Sequence, residues 1–185
     1  MQIAGTNDGP VISLVTTDSD ATGLTETNDP LTASGTLTVT DVDTTDLVAM
    51  SVTNVATFGP TNGLLTADLL SFFSVNPASP STLTADTGET HNLAWYFNSA
   101  PQAFDFLAEG ETLTLTYTVQ AKDDSGALND NTTHTVTITI HGANDAPVIS
   151  VGAGDSDAET LAETDAALAV SGTLTVNDVD RKSVV

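Results

Sequence analysis

Residues 112–121, TLTLTYTVQA, alternate strictly: Leu113, Leu115, Tyr117 and Val119 fall on one side, Thr112, Thr114, Thr116 and Thr118 on the other. A period of two marks a strand with one buried and one wet face. HTVTITI at 134–140 repeats the pattern with Val136, Ile138 and Ile140. Similar short runs rich in Val, Leu, Ile and Thr, bounded by turn residues, predict strands at 11–15, 35–40, 47–55, 69–75 and 92–97, with 112–121 and 133–141 completing the set. Short strands with one apolar face each predict an all-β chain folded as an antiparallel sandwich. A single helical turn is predicted within 99–110, with Ser99 as N-cap, Pro101 early in the turn, Phe104 and Leu107 three apart, and Gly110 as terminator.

The strand pattern is itself repeated. Shifting the chain by 137 residues aligns 3–43 with 140–180 without a gap, and 25 of the 41 positions are identical. The chain therefore divides into the tail of a preceding unit (1–4), a complete unit (5–141), a linker (142–147) and the first part of a second unit (148–185). A partial sandwich lacks most of its core, so 145–185 are expected to be disordered, loosely docked or paired with a neighbour. The end of the chain, with Arg181 and Lys182, departs from the repeat and reads as a truncation or an appended segment.

The charge balance narrows the partners. Three basic residues against 25 acidic ones give a net charge of -22; such a field repels nucleic acid and anionic lipid and attracts cations. With 39% hydrophobic residues the chain can still build a core. It contains no cysteine, so disulfides and thiolate metal sites are excluded. No apolar run approaches the ~20 residues of a membrane span. The N-terminus lacks the basic start and apolar stretch of a secretory signal, so export would require a signal outside this segment.

In a Greek-key sandwich of the immunoglobulin kind, topology assigns each loop to a pole. Asp41, Asp43, Asp123 and Asp124 fall at the N-terminal pole beside Asn7 and Asp8. Glu26, Glu109 and Glu111 fall at the opposite pole beside Asn144 and Asp145, where the second unit brings Asp178 and Asp180. So many like charges repel unless a hard cation sits among them, and calcium tolerates irregular sets of six to eight oxygens. The competing reading is that loop carboxylates keep the protein soluble. Solubility is indifferent to position, however. Asp18, Asp20, Glu26, Asp41 and Asp43 recur as Asp155, Asp157, Glu163, Asp178 and Asp180, whereas Asn28, Asp29 and Thr40 change.

GTNDGPVI, SGTLTVTDVD, LAWYFNSAPQAFDFLAEGETLTLTYTVQAKDDSG and HTVTITIHGANDAPVI together resemble the VCBS-type repeat of large bacterial RTX-type surface adhesins, over nearly all of 5–147. The chain is similar, more loosely, to cadherin, in which calcium at each linker stiffens a rod. The resemblance implies a cadherin-like sandwich. It also implies calcium ligands in Glu26, Glu109 or Glu111, Asn144, Asp145, Asp178 and Asp180, with Asn7, Asp8, Asp41 and Asp43 serving the upstream seam. Region 56–90 is longer than the compact form of that repeat, so its loops are candidates for something specific to this unit. The function so implied is a calcium-rigidified extender of a secreted or cell-surface adhesin, acting in cell adhesion or biofilm, whose immediate partners are adjacent repeats.

Other motifs carry less. Asp18, Asp20 and Thr22 with Gly23 and Asp29 suggest an EF-hand-like loop, but the copy has Thr160 and Ala166 at the turn and closing positions. Asp18 and Asp20 remain calcium candidates by another geometry. His91, His134 and His141 are too dispersed to predict zinc. Trp95, Tyr96 and Phe97 could offer a sugar-stacking platform, giving a glycan- or protein-binding module with 56–90 as the alternative function; a strand Trp is more often core. No nucleophile elbow, zinc-protease helix or phosphate loop is present, so no enzyme is expected.

Overall fold

The computed structural model describes Met1 and residues 4–180 of the chain. Gln2 and Ile3, needed to test the predicted tail of a preceding unit, lie outside the described residues, as do Arg181 and Lys182.

The chain is almost entirely β. Among the described residues eleven strands and one short helix run in the order β1 (Val11–Ser13), β2 (Ala21–Thr25), β3 (Thr32–Thr40), β4 (Val48–Phe58), α1 (Thr66–Ser71), β5 (Phe73–Asn76), β6 (Thr82–Leu83), β7 (Leu93–Asn98), β8 (Thr112–Lys122), β9 (Asn131–His141), β10 (Val148–Ser150) and β11 (Thr175–Asn177). β10 and β11 form a separate pair, while within residues 5–141 one sheet has the order β1-β3-β7-β5 and the other β2-β9-β8-β4-β6. Their inner faces share one core. Leu113, Leu115, Tyr117 and Val119 are all buried, as are Val136, Ile138 and Ile140, so the alternation placed the core face correctly.

An aromatic stack ties the sheets together. Phe73 from the first sheet stacks on Tyr117 from the second at 4.3 Å between centroids, and on Trp95 at 5.8 Å. The Tyr117 hydroxyl donates to the Leu69 carbonyl at 2.8 Å, so its polar end is satisfied inside the core. Each such side chain contributes roughly 1.5–3 kcal/mol by leaving water. Trp95 is fully buried, its indole N–H donating to the Ser19 carbonyl at 2.6 Å. It is core, and offers no face to a sugar. Gly35, paired with Trp95, is required there: a Cβ would lie 2.6 Å from the indole ring.

The structure departs from the alternation where tertiary contacts override it. Of the strand predicted at 69–75, only its end is a strand. Residues 66–71 form α1, with Leu69 buried and Asp68 accepting from the Leu65 amide at 3.3 Å; alternation begins at Phe73. β4 runs past 55 to Phe58 through a bulge between Val52 and Asn54. The helical turn predicted in 99–110 is absent. The Ser99 hydroxyl instead accepts from the Leu31 amide at 2.9 Å, and separate turns bring Phe104 and Leu107 into the core.

β2 carries the chain from the first sheet to the second, pairing parallel with β9 from Ala21↔Thr137 to Thr25↔His141. The second unit begins as a copy of the first. Val11↔Thr40, Ile12↔Val39 and Ser13↔Thr38 reappear as Val148↔Asn177, Ile149↔Val176 and Ser150↔Thr175, the same register moved by 137. The partial unit thus keeps its first strand pair, although β10 and β11 are exposed throughout. No helix among the described residues is long and apolar enough to cross a membrane.

Candidate functional site

The acidic residues separate into two kinds. Asp18 belongs to a clasp holding the β1–β2 crossover. Its carboxylate accepts from the Thr36 and Thr38 hydroxyls, both at 2.7 Å, and from the Val15 amide at 3.1 Å, while His91 Nδ1 lies 2.7 Å away. Burial alone would raise its pKa, but Thr38, Thr36, His91 and Val15 outweigh that and bring it to about 2. Asp155 repeats the clasp with Thr173, Thr175 and Gly152. Asp20 lies 2.9 Å from His134 Nε2 on β9. Because 21–25 form a strand, the EF-hand-like arrangement from Asp18 to Asp29 does not exist. The recurrence of Asp18 as Asp155 is explained by hydrogen bonding within the fold.

The second kind lies at the poles. Where the complete unit meets the second, Glu26 is buried; one oxygen accepts from the Ala143 amide at 2.9 Å and Oε2 has no partner. Asp145 Oδ2 and Asp178 Oδ1 are likewise buried without partners, and so is Asp105 Oδ1, from the loop before β8. The Asp145 amide reaches Asp180 Oδ2 at 3.4 Å, and Asp180 is itself buried. Burial raises the Glu26 pKa, with the charges of Asp145, Asp105 and Asp180 adding to it. Burial also raises that of Asp178, helped by its hydrogen bond with Asp180 and by the charges of Asp180 and Asp145. Glu111 uses one oxygen to accept from the Ala108 amide at 3.1 Å, and Glu109 is exposed beside it. Asn144 turns its amide onto the Asp145 carbonyl at 2.9 Å.

The upstream pole is built alike. Asp8 N–H donates to Asp43 Oδ2 at 2.7 Å, the counterpart of Asp145 and Asp180. Asp41, counterpart of Asp178, is buried; it accepts from the Asp43 amide at 3.0 Å and leaves Oδ2 without a partner. Its pKa is raised by burial and by Asp123, Asp46 and Asp43. Asn7 donates to Asp123 at 3.2 Å, Asp123 is held by Ser125, and Asp124 accepts from the Leu47 amide at 3.0 Å.

The linkers are clamped to their own units by close backbone approach. A Cβ on Gly9 would lie 2.0 Å from the Asn129 carbonyl oxygen, and one on Gly142 would lie 2.3 Å from that of Ala108. The structure thus brings Glu26, Asp145, Asp178 and Asp180 together, and adds Asp105, which sequence reading missed. The available signal was an acid between two aromatics, Phe104 and Phe106, in the loop leading to Glu109 and Glu111. Among the described residues no group of three or more His, Asp or Glu side chains is arranged so that it could hold a metal ion. The orphaned oxygens are nonetheless all carboxylate, the donor type hard cations take. A scan against protein-family models and a search of curated proteins found no match.

Proposed function

We propose that this chain is a calcium-rigidified extender: one repeat of an exported adhesin of the VCBS type, whose seams bind calcium and hold successive units in a rod. The observation that carries this reading is Glu26 Oε2, a carboxylate oxygen buried without a partner beside three further acids. An uncompensated buried charge is costly. A bound cation would supply the missing partner for Glu26, Asp105, Asp145 and Asp178 at once. Glu26 and Asp105 come from the complete unit, Asp145 from the linker and Asp178 from the next unit, so the same ion would crosslink all three. Asp41, Asp43 and Asp123, with Asn7 and Asp8, would do the same upstream.

The strand orders support an Ig-like, cadherin-like Greek key: the first strand splits between the sheets as β1 and β2, and β9, β8 and β4 lie side by side opposite β3, β7 and β5. The repeat register and the motifs at 5–13 and 142–150 support a tandem array. The partners so proposed are adjacent repeats of the same polypeptide, outside the cell. The alternative of a glycan-binding module loses its anchor with Trp95 buried.

Small-angle scattering from two complete units in tandem tests the proposal. Calcium should lengthen and narrow the particle, and chelator should reverse the change; equal maximum dimension in both would sink the stiffening role.

A further inference from the structure

Region 56–90 is not a protruding insertion. It supplies α1, β5 and β6 to the fold, and its first turn reaches the seam. Gly59, at φ +106, packs so tightly that a Cβ would lie 2.1 Å from the Thr112 carbonyl oxygen, which pins this turn beside Glu111. The chain then reverses through Asn62 at φ +49 and Gly63 at φ +82, closed by the Leu64 amide on the Thr61 carbonyl at 3.0 Å. Asparagine and glycine are the residues that accept this left-handed conformation readily.

The turn forms one wall of a cleft of about 520 Å³ between the units. Pro60, Asn62, Phe106 and Glu111 line it from the complete unit, and residues 177–180 line it from the next. Its far wall holds the Asp178 carboxylate, with one oxygen unpartnered, and the buried Asp180. Glu26, more than nine-tenths buried with a free oxygen, lies near enough to Asp180 for their charges to interact. On the near wall, Pro60 and Phe106 offer no side-chain oxygen, and Glu111 already spends one on the Ala108 amide.

We propose that Asn62 is a cation ligand specific to this unit, its amide oxygen completing, directly or through one water, a divalent site with Asp178 and Asp180 and so fixing the next unit against the β4–α1 turn. A neutral amide suits the place: it adds a donor where three carboxylates already repel, without adding a fourth charge. The inference rests on the calcium reading and deepens it.

The test is calorimetric titration of the intact chain with calcium, comparing wild type, Asn62→Ala, Asn62→Asp and, as a control on the exposed face of β4, Asn54→Ala. Circular dichroism melts in chelator check that each variant folds. Asn62→Ala should weaken one class of site roughly 10-fold, Asn62→Asp should retain it, and Asn54→Ala should match wild type. If Asn62→Ala binds like wild type while Glu26→Gln does not bind, Asn62 is no ligand and the seam reading stands. If Asn62→Asp loses affinity as Asn62→Ala does, the amide contributes only turn geometry and the ligand role is overturned. A flat wild-type isotherm removes both proposals together.

Discussion

The Asp18 clasp and the Asp41 pole are both acidic, both largely withdrawn from solvent, and both copied 137 residues later, yet they are opposites. Asp18 has two partners on each oxygen and its pKa falls to about 2; Asp41 keeps an oxygen with no donor and its pKa rises. Asp155 and Asp178 reproduce the contrast in the second unit. A repeated carboxylate can therefore be a satisfied brace or keep an oxygen without a partner, and recurrence does not separate the two. Accounting for each oxygen does.

The brace breaks first. Asp18→Ala leaves the Thr36 and Thr38 hydroxyls and the Val15 amide without their acceptor, and should cost about 2–3 kcal/mol. That corresponds to a melting point lower by about 5–10 °C, and calcium should not restore it. The linker clamp comes next. Gly9→Ala places a methyl against the Asn129 carbonyl, at a cost of about 1–3 kcal/mol in denaturant titration.

The poles should respond with opposite sign. In chelator, Glu26→Gln removes a charge that its neighbours repel and keeps an oxygen for the Ala143 amide, so it should stabilise the chain by about 1 kcal/mol. In calcium it should be less stable than wild type. The smallest effect is that of pH. Glu26, Asp41 and Asp178 have folded pKa values raised above their unfolded ones, so the stability they contribute is present at low pH and lost as pH rises through the folded values. Asp18, with its pKa lowered, contributes above its unfolded value of 3.8 and loses that as pH falls toward 2. Mild acidification of the calcium-free chain from neutrality should therefore raise its melting point slightly, and stronger acid should lower it. Asp18→Ala should keep the rise while losing that part of the later fall.

Much of this was legible in the residues. β8 and β9 alternate without a break because each lies inside its sheet with one face on the core, so period two survives intact. The pairing of Glu26 with Asp145 and Asp180 followed from assigning loops to poles. α1 was not legible because Leu69 and Leu70 sit beside Phe72 and Phe73 in an apolar run that periodicity alone cannot assign. β2 was missed because ATGLT has one large apolar residue, Leu24, and pairs with only β9 at the edge of its sheet. The clasp around Asp18 was not legible because its partners, Thr36, Thr38 and His91, are 18, 20 and 73 residues away.

The central claim is that the orphaned pole carboxylates await a cation, and the most direct measurement is the melting of the intact chain in chelator and in saturating calcium. At one hundred times the dissociation constant, calcium should add about 2.7 kcal/mol, or about 5–10 °C. Asp18→Ala should show the same gain from a lower baseline, and Glu26→Gln should lose it. Identical melting of the wild type with and without calcium would contradict the account.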